Sequence, residues 1–184
     1  MLDAARWAPS NHNRQPWRFV VIEDRGTIAR LAQQIGTELS EKLKSLPAVA
    51  SGHLDDFAQH ATFFSSVPVL ICAMHKLPVS FASALLKDAT HPELVSGEPL
   101  STAMAVQNLL LAAHTIGLGT CVLTAPLIAQ DAINRELSPA AGYSMTCLIA
   151  LGYPDEHPSP PRRKSIKQIA QFTKDAEEVI HDGN

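Results

Sequence analysis

STAMAVQNLLLAAHTIGLGTCVLTA, residues 101–125, reads as a buried helix, a glycine break and a short strand. Ala103, Met104, Ala105, Val106, Leu109, Leu110, Leu111, Ala112, Ala113 and Ile116 leave almost no polar face, and a helix that is apolar nearly all round belongs inside a core. The run is too short and too interrupted to span a bilayer. Ser101 is placed to cap the helix, and Gly117 and Gly119 end it where backbone of positive φ is least strained. The chain then turns straight into a buried strand over 120–124. A glycine break between helix and strand also lets a flat ligand approach the backbone closely.

Three further apolar runs flank this stretch: RFVVI at 18–22, VPVLICAM at 67–74 and SMTCLIAL at 144–151. Their length and β-branched content predict strands. Ile28, Leu31, Ile35, Leu39 and Leu43 follow helical spacing and predict two surface helices, over 24–36 and 38–45. Another helix is expected over 54–66, ended by the restriction that Pro68 places on its neighbour. Between 75 and 100 the pattern weakens around Pro78, Pro92, Gly97 and Pro99, with one helix near 80–87 and the character of a lid or partner contact. An amphipathic stretch follows at 126–137, and a weak helical tail at 166–180. Residues 2–7 look like the end of an amphipathic helix that starts further upstream, since a first turn without a cap is marginal.

About four strands and six to eight helices, unevenly connected and without βαβ spacing, predict an α+β fold. The 184 residues suit one domain, read as a core over 1–170 and a C-terminal tail over 171–184. No G-x-G-x-x-G follows the first strand and no P-loop lysine motif occurs, so neither a dinucleotide fold nor an NTPase is supported. The formal net charge of -3 gives no electrostatic footprint for nucleic acid. Cys72, Cys121 and Cys147 sit in apolar, strand-like sequence with no C-x-x-C spacing, which suits small buried hydrophobes in a reducing compartment. Asp3 and Arg6 interrupt any apolar leader. The expectation is a soluble cytoplasmic protein, with neither nucleic acid nor membrane as partner.

The loop APSNHNRQPW, residues 8–17, is the second unusual stretch. Ser10, Asn11, Asn13 and Gln15 stand between Pro9 and Pro16, which stiffen the backbone that displays them. Such amides and hydroxyls suit the ribityl chain and ring edge of a flavin. They equally suit an Asx-type turn whose side chains bond only their own backbone. Trp7 and Trp17 read as core anchors, and His114 as a core histidine. The eight histidines show no H-x-x-x-H or H-E-x-x-H spacing, so no metal site is expected.

The pattern A-P-S-x-x-N-x-Q-P-W-x-F at 8–19, then Q-N-L-L-L-A-A-x-x-x-G-L-G-T at 107–120, then L-G-Y-P at 151–154 with a basic cluster, resembles the FMN-dependent nitroreductase family. The resemblance implies a nitroreductase-like fold: a central, mostly antiparallel sheet flanked by helices, in an intertwined homodimer with each FMN at the subunit interface. By the same resemblance Pro9, Ser10, Asn11, Asn13 and Gln15 form the flavin loop, with Ser10, Asn11 and Asn13 reaching the FMN of the opposite subunit. Val122, Leu123, Thr124 and Ala125 would lie along the flavin, with a backbone N–H of Thr124 or Ala125 facing N5. Arg162 and Lys164 would approach the phosphate, with Arg163 able to replace either.

The family also carries an arginine-rich R-x-S-x-R segment about twenty residues before the A-P-S loop, whose arginines hold the phosphate and pyrimidine edge. This chain starts too close to Ser10 to include one. Either the natural start lies upstream or the C-terminal cluster holds the phosphate alone. The implied activity is an oxidoreductase taking electrons from NADH or NADPH and passing them through flavin N5, in a ping-pong cycle, to nitroaromatics, quinones or similar small acceptors. Reductive dehalogenation, flavin fragmentation and a catalytically silent dimer are the alternatives. No side-chain acid or base is required of the protein.

Overall fold

The computed structural model describes residues 1–44, 60–77, 97–156 and 158–173. The helix expected near 80–87 and the first part of that expected over 54–66 lie outside them. Two compact units result, Met1–Pro154 and Asp155–Asn184.

In the first unit the apolar runs become β1 (Trp17–Ile22), β2 (Val69–Lys76), β3 (Gly119–Leu123) and β4 (Tyr143–Gly152). They form one sheet in the order β1-β2-β4-β3, with every neighbouring pair antiparallel. This is the α+β architecture that the sequence predicts. β1 and β3 are the two edges. On one face pack α2 (Arg25–Lys44) and α4 (Gln130–Leu137), with Ile28, Leu31, Ile35, Ala132 and Ile133 set against Leu70, Cys72, Met74 and Leu148. On the other pack α1 (Leu2–Ala5) and α3 (Gly97–Thr115), with Ala5, Ala105, Val106, Leu109 and Ala113 set against Ile71, Ala73, Cys147 and Ile149.

Several elements differ from expectation for identifiable reasons. α2 is one helix rather than two, and its apolar stripe is core rather than surface. The spacing of Ile28, Leu31, Ile35 and Leu39 carries straight through Gly36, whose helix-breaking tendency is only about 1 kcal/mol. Asp24 starts it, its carboxylate accepting from the Thr27 N–H and hydroxyl at 2.7 Å each, and these bonds hold the carboxyl below its ordinary pKa. α3 begins a turn before Ser101. Pro99 fits within a first turn, where a missing N–H costs nothing, so Ser101 is no cap and donates to the Gly97 carbonyl at 2.7 Å.

Glycines of the motifs divide the work. Gly117, at φ 80°, closes α3 in a Schellman motif, with Gly117 N–H to His114 O at 3.1 Å and Leu118 N–H to Ala113 O at 3.0 Å. Gly119 is instead needed for packing, since a Cβ there would sit 3.3 Å from Pro154 Cβ.

β3 is a half-exposed edge strand rather than a buried one. Cys121 is therefore exposed, whereas burial pushes the Cys72 and Cys147 thiols up to about 12 and about 11. Trp7 is 75% exposed beneath the Arg6 guanidinium and is no core anchor, while Trp17 is partly buried against the α3-side core. His114 is exposed as well. In the second unit the expected tail helix, as far as it is described, is a single turn, α5 (Ile166–Ile169), capped by a Ser165 N–H to Gln168 Oε1 bond of 2.9 Å. No described helix is long and apolar enough to cross a membrane.

Candidate functional site

The A-P-S loop leads from α1 into the start of β1. Asn108 of the Q-N-L-L-L motif ties its entry, donating from Nδ2 to the Ala4 carbonyl at 3.2 Å. Within the loop, residues Asn11–Asn13 form one tight turn, and His12, Asn13 and Gln15 take φ of 51°, 52° and 47°. Left-handed backbone strains any residue with a Cβ, least for asparagine, and such strain collects at functional sites. The Ser10 hydroxyl accepts the Gln15 N–H at 3.0 Å, and the Gln15 amide donates to Asn13 Oδ1 at 3.2 Å. To that extent the Asx-type reading is right: part of the polar set serves the loop. Asn11, Asn13, Pro9 and Gln15 are all exposed, with the Asn11 amide lying alongside Gly97.

The loop is seated on the first turns of α3. Asn11 N–H donates to Ser101 Oγ at 3.2 Å, and Arg14 pairs with Glu98 at 3.3 Å. Glu98 has a side chain only 8% exposed. Beneath the loop, the β2–β4 register slips after Ala73, so Thr146 has no partner opposite it. There His75 Nδ1 lies 2.9 Å from Thr146 Oγ1. Burial holds the His75 pKa below its ordinary value, and the negative Glu98 opposes that shift. Sequence reasoning missed Glu98, Ser101's true role and His75. Glu98 lies between Gly97 and Pro99, which mark a loop by composition; only the helical register of Glu98, Thr102, Ala105 and Leu109 could have exposed it.

The second predicted part lies across the molecule. Val122 is exposed at the β3 edge, while Leu123 points into the α2-side core and can offer only its backbone. Thr124 is exposed, and Ala125 opens the 3-10 turn Ala125–Ala129, which has no side-chain cap. The Ala125 N–H stands at the first position of the turn, ahead of the turn's own hydrogen-bond ladder. β1 and β3 are separated by two intervening strands, which sets their edges about 14 Å apart. In one copy of the chain, residues 10–13 and 122–125 therefore belong to opposite edges of the sheet. Arg162, Arg163 and Lys164 lie in the second unit and are exposed.

Residues 1–153 match the Nitroreductase family profile over most of the chain. The chain belongs to the Nitroreductase family. Among its relatives, an iodotyrosine deiodinase of Thermotoga neapolitana is 26% identical over 181 residues, covering 93% of this chain and 84% of the relative. An oxygen-insensitive NADPH nitroreductase of Helicobacter pylori is 25% identical over 169 residues, covering 89% and 79%. A BluB-like flavoprotein of Clostridium difficile 630 superposes with a TM-score of 0.80 at 28% identity, over 94% of this chain and 86% of that one. Nitroreductase family relatives thus include both dehalogenating and nitro-reducing enzymes, on a fold this chain shares.

Proposed function

We propose that this chain is an FMN-dependent NAD(P)H oxidoreductase that works as a homodimer in the cytoplasm and reduces nitroaromatics, quinones or similar small electrophiles by a ping-pong cycle. The observation that carries it is the division of polar equipment: an exposed amide loop at the β1 edge and a turn without a side-chain cap at the β3 edge. The outer face of α3 supports the second copy. Leu100, Met104 and Leu111 form one stripe there, 62%, 47% and 56% exposed, the kind of apolar surface that marks an interface. A flavoprotein among the folds like this one supports the cofactor.

The residues present fit FMN. Asn11 and Asn13 of one copy would hydrogen-bond the ribityl chain and ring edge, with Ser10 donating its remaining hydroxyl proton and Pro9 and Gln15 framing the loop. The backbone of Val122, Leu123, Thr124 and Ala125 of the other copy would line the ring, the Ala125 N–H orienting N5. Arg162 and Lys164, or Arg163 in place of either, would hold the phosphate. FMN supplies the two-electron chemistry, accepting a hydride from the nicotinamide and delivering it to the acceptor.

The test is to titrate the protein with FMN, following fluorescence quenching, and then to follow NAD(P)H oxidation with menadione or nitrofurazone. Micromolar or tighter binding with turnover is expected. Absence of oxidation by the flavin-loaded protein would overturn the reading. The deiodinase relative favours a second reading, reductive dehalogenation, in which two electrons and a proton replace a carbon–halogen bond with carbon–hydrogen and release halide. Halide release from 3-iodotyrosine under a chemical reductant, with no quinone reduction, would favour it.

A further inference from the structure

The left-handed residues of the A-P-S loop are not held by the loop alone. Across 84 and 90 residues of sequence, Glu98 takes the Arg14 guanidinium at 3.3 Å and Ser101 Oγ takes the Asn11 N–H at 3.2 Å. Ser101 is itself fixed, donating to the Gly97 carbonyl at 2.7 Å. Gly97 leaves room for the loop to seat: a Cβ there would lie 2.9 Å from Asn11 Nδ2 and 3.2 Å from Asn11 Cβ. Glu98 and Ser101 are both buried, in the first two turns of a helix whose sheet-facing side is core. A loop with three left-handed residues would relax if its ends alone restrained it. These contacts fix the turn between them, at Asn11 and at Arg14, on either side of the strained pair His12 and Asn13.

We propose that Glu98 and Ser101 are positioning residues, which hold the 9–15 loop in the shape that presents Asn11 and Asn13 to the flavin of a second copy, and that Gly97 is the gap the loop needs to dock. The flavin part of this inference rests on the reading under Proposed function. Neither residue touches the cofactor; both act through the loop.

The test compares the wild type with Gly97→Ala, Glu98→Gln and Ser101→Ala. Hydrogen exchange of residues 9–15 is measured on the apoprotein, FMN affinity by fluorescence quenching, and the unfolding midpoint by circular dichroism. Gly97→Ala is the decisive variant, since it removes no side chain while its added methyl group displaces Asn11. Loop exchange is expected to rise at least tenfold in each variant, with FMN affinity at least tenfold weaker. The midpoint of Gly97→Ala should stay close to that of the wild type, which separates positioning from general destabilisation. Unchanged loop exchange in Gly97→Ala and Glu98→Gln would overturn the inference, as would faster exchange with wild-type FMN affinity. If the wild type takes up no FMN, the reading under Proposed function falls and the flavin role of Glu98 and Ser101 falls with it. The exchange data would still decide whether they hold the loop.

Discussion

The two long helices that cover the sheet are opposite in character. α2 buries Ile28, Leu31, Ile35 and Leu39 against one face and turns Arg30, Gln33, Thr37 and Glu41 outward. Its outer side is also tied down by ion pairs, Arg30 to Glu136 at 2.8 Å and Glu38 to Arg135 at 2.9 Å. α3 buries Ala105, Val106, Leu109 and Ala113 against the other face, yet turns Leu100, Met104 and Leu111 outward. An amphipathic helix completes a monomer; a helix apolar on both sides needs a second apolar surface. The difference teaches that the α2 side of the fold is closed by its own ion pairs and polar face, while the α3 side leaves an apolar face exposed. Under the proposed reading, that asymmetry would let the polar halves of the candidate site lie at opposite edges of one sheet and still serve one ligand.

The sharpest way to break the comparison is to damage each helix on its own terms. Leu31→Ala, in the α2 core, should lower stability by about 2 to 5 kcal/mol in a denaturant titration, equally at low and high protein concentration. Leu111→Glu, on the outer face of α3, should leave the circular dichroism spectrum in place but weaken self-association by about a hundredfold, or about 2.7 kcal/mol, in sedimentation. If Leu111→Glu unfolds the chain at every concentration, or leaves association unchanged, the outer face of α3 is not an interface. A smaller effect sharpens the picture beneath the loop. His75 is held neutral by burial, so its folded pKa lies below the unfolded 6.5. The unfolded state then binds more protons in that window, and stability is retained above pH 6.5 and lost as the pH falls below it. His75→Gln should flatten that part of the stability profile between pH 5 and 7, because glutamine has no proton to gain there.

Much of this arrangement was legible in the sequence. Continuous apolar runs announced β2 and β4, because a strand covered on both faces leaves no polar alternation to misread, and shorter β-branched runs announced the edge strands β1 and β3. The Schellman glycine of α3 was legible for the same local reason, since Gly117 needs the positive φ that only glycine takes easily. What composition concealed was register and order. Gly36 and Pro99 looked like breaks, but an interior glycine is a mild penalty and a first-turn proline none, so α2 ran on and α3 began early. Glu98 was hidden by that same error. The strain at His12, Asn13 and Gln15 has no compositional mark, because nothing in three polar residues reveals a left-handed backbone held from 90 residues away. Nor does periodicity encode strand order, so the 14 Å gap between the two halves of the candidate site emerges only from the sheet. The family motifs supplied the candidate residues, which the sheet places at two different edges.

The central claim is that each flavin site is built from two copies of the chain, the loop from one and the edge strand from the other. A mixing experiment tests it directly. One variant carries Asn11→Ala and Asn13→Ala; the other carries Ala125→Pro, which removes the edge donor. Each alone should bind FMN poorly. Co-refolded in equal amounts, heterodimers will combine both lesions in one site and leave the other site intact, so tight FMN binding should reappear in about one site of every two per heterodimer. If the mixture binds no more FMN than the two variants separately, loop and strand belong to the same copy and the account of a divided site is wrong.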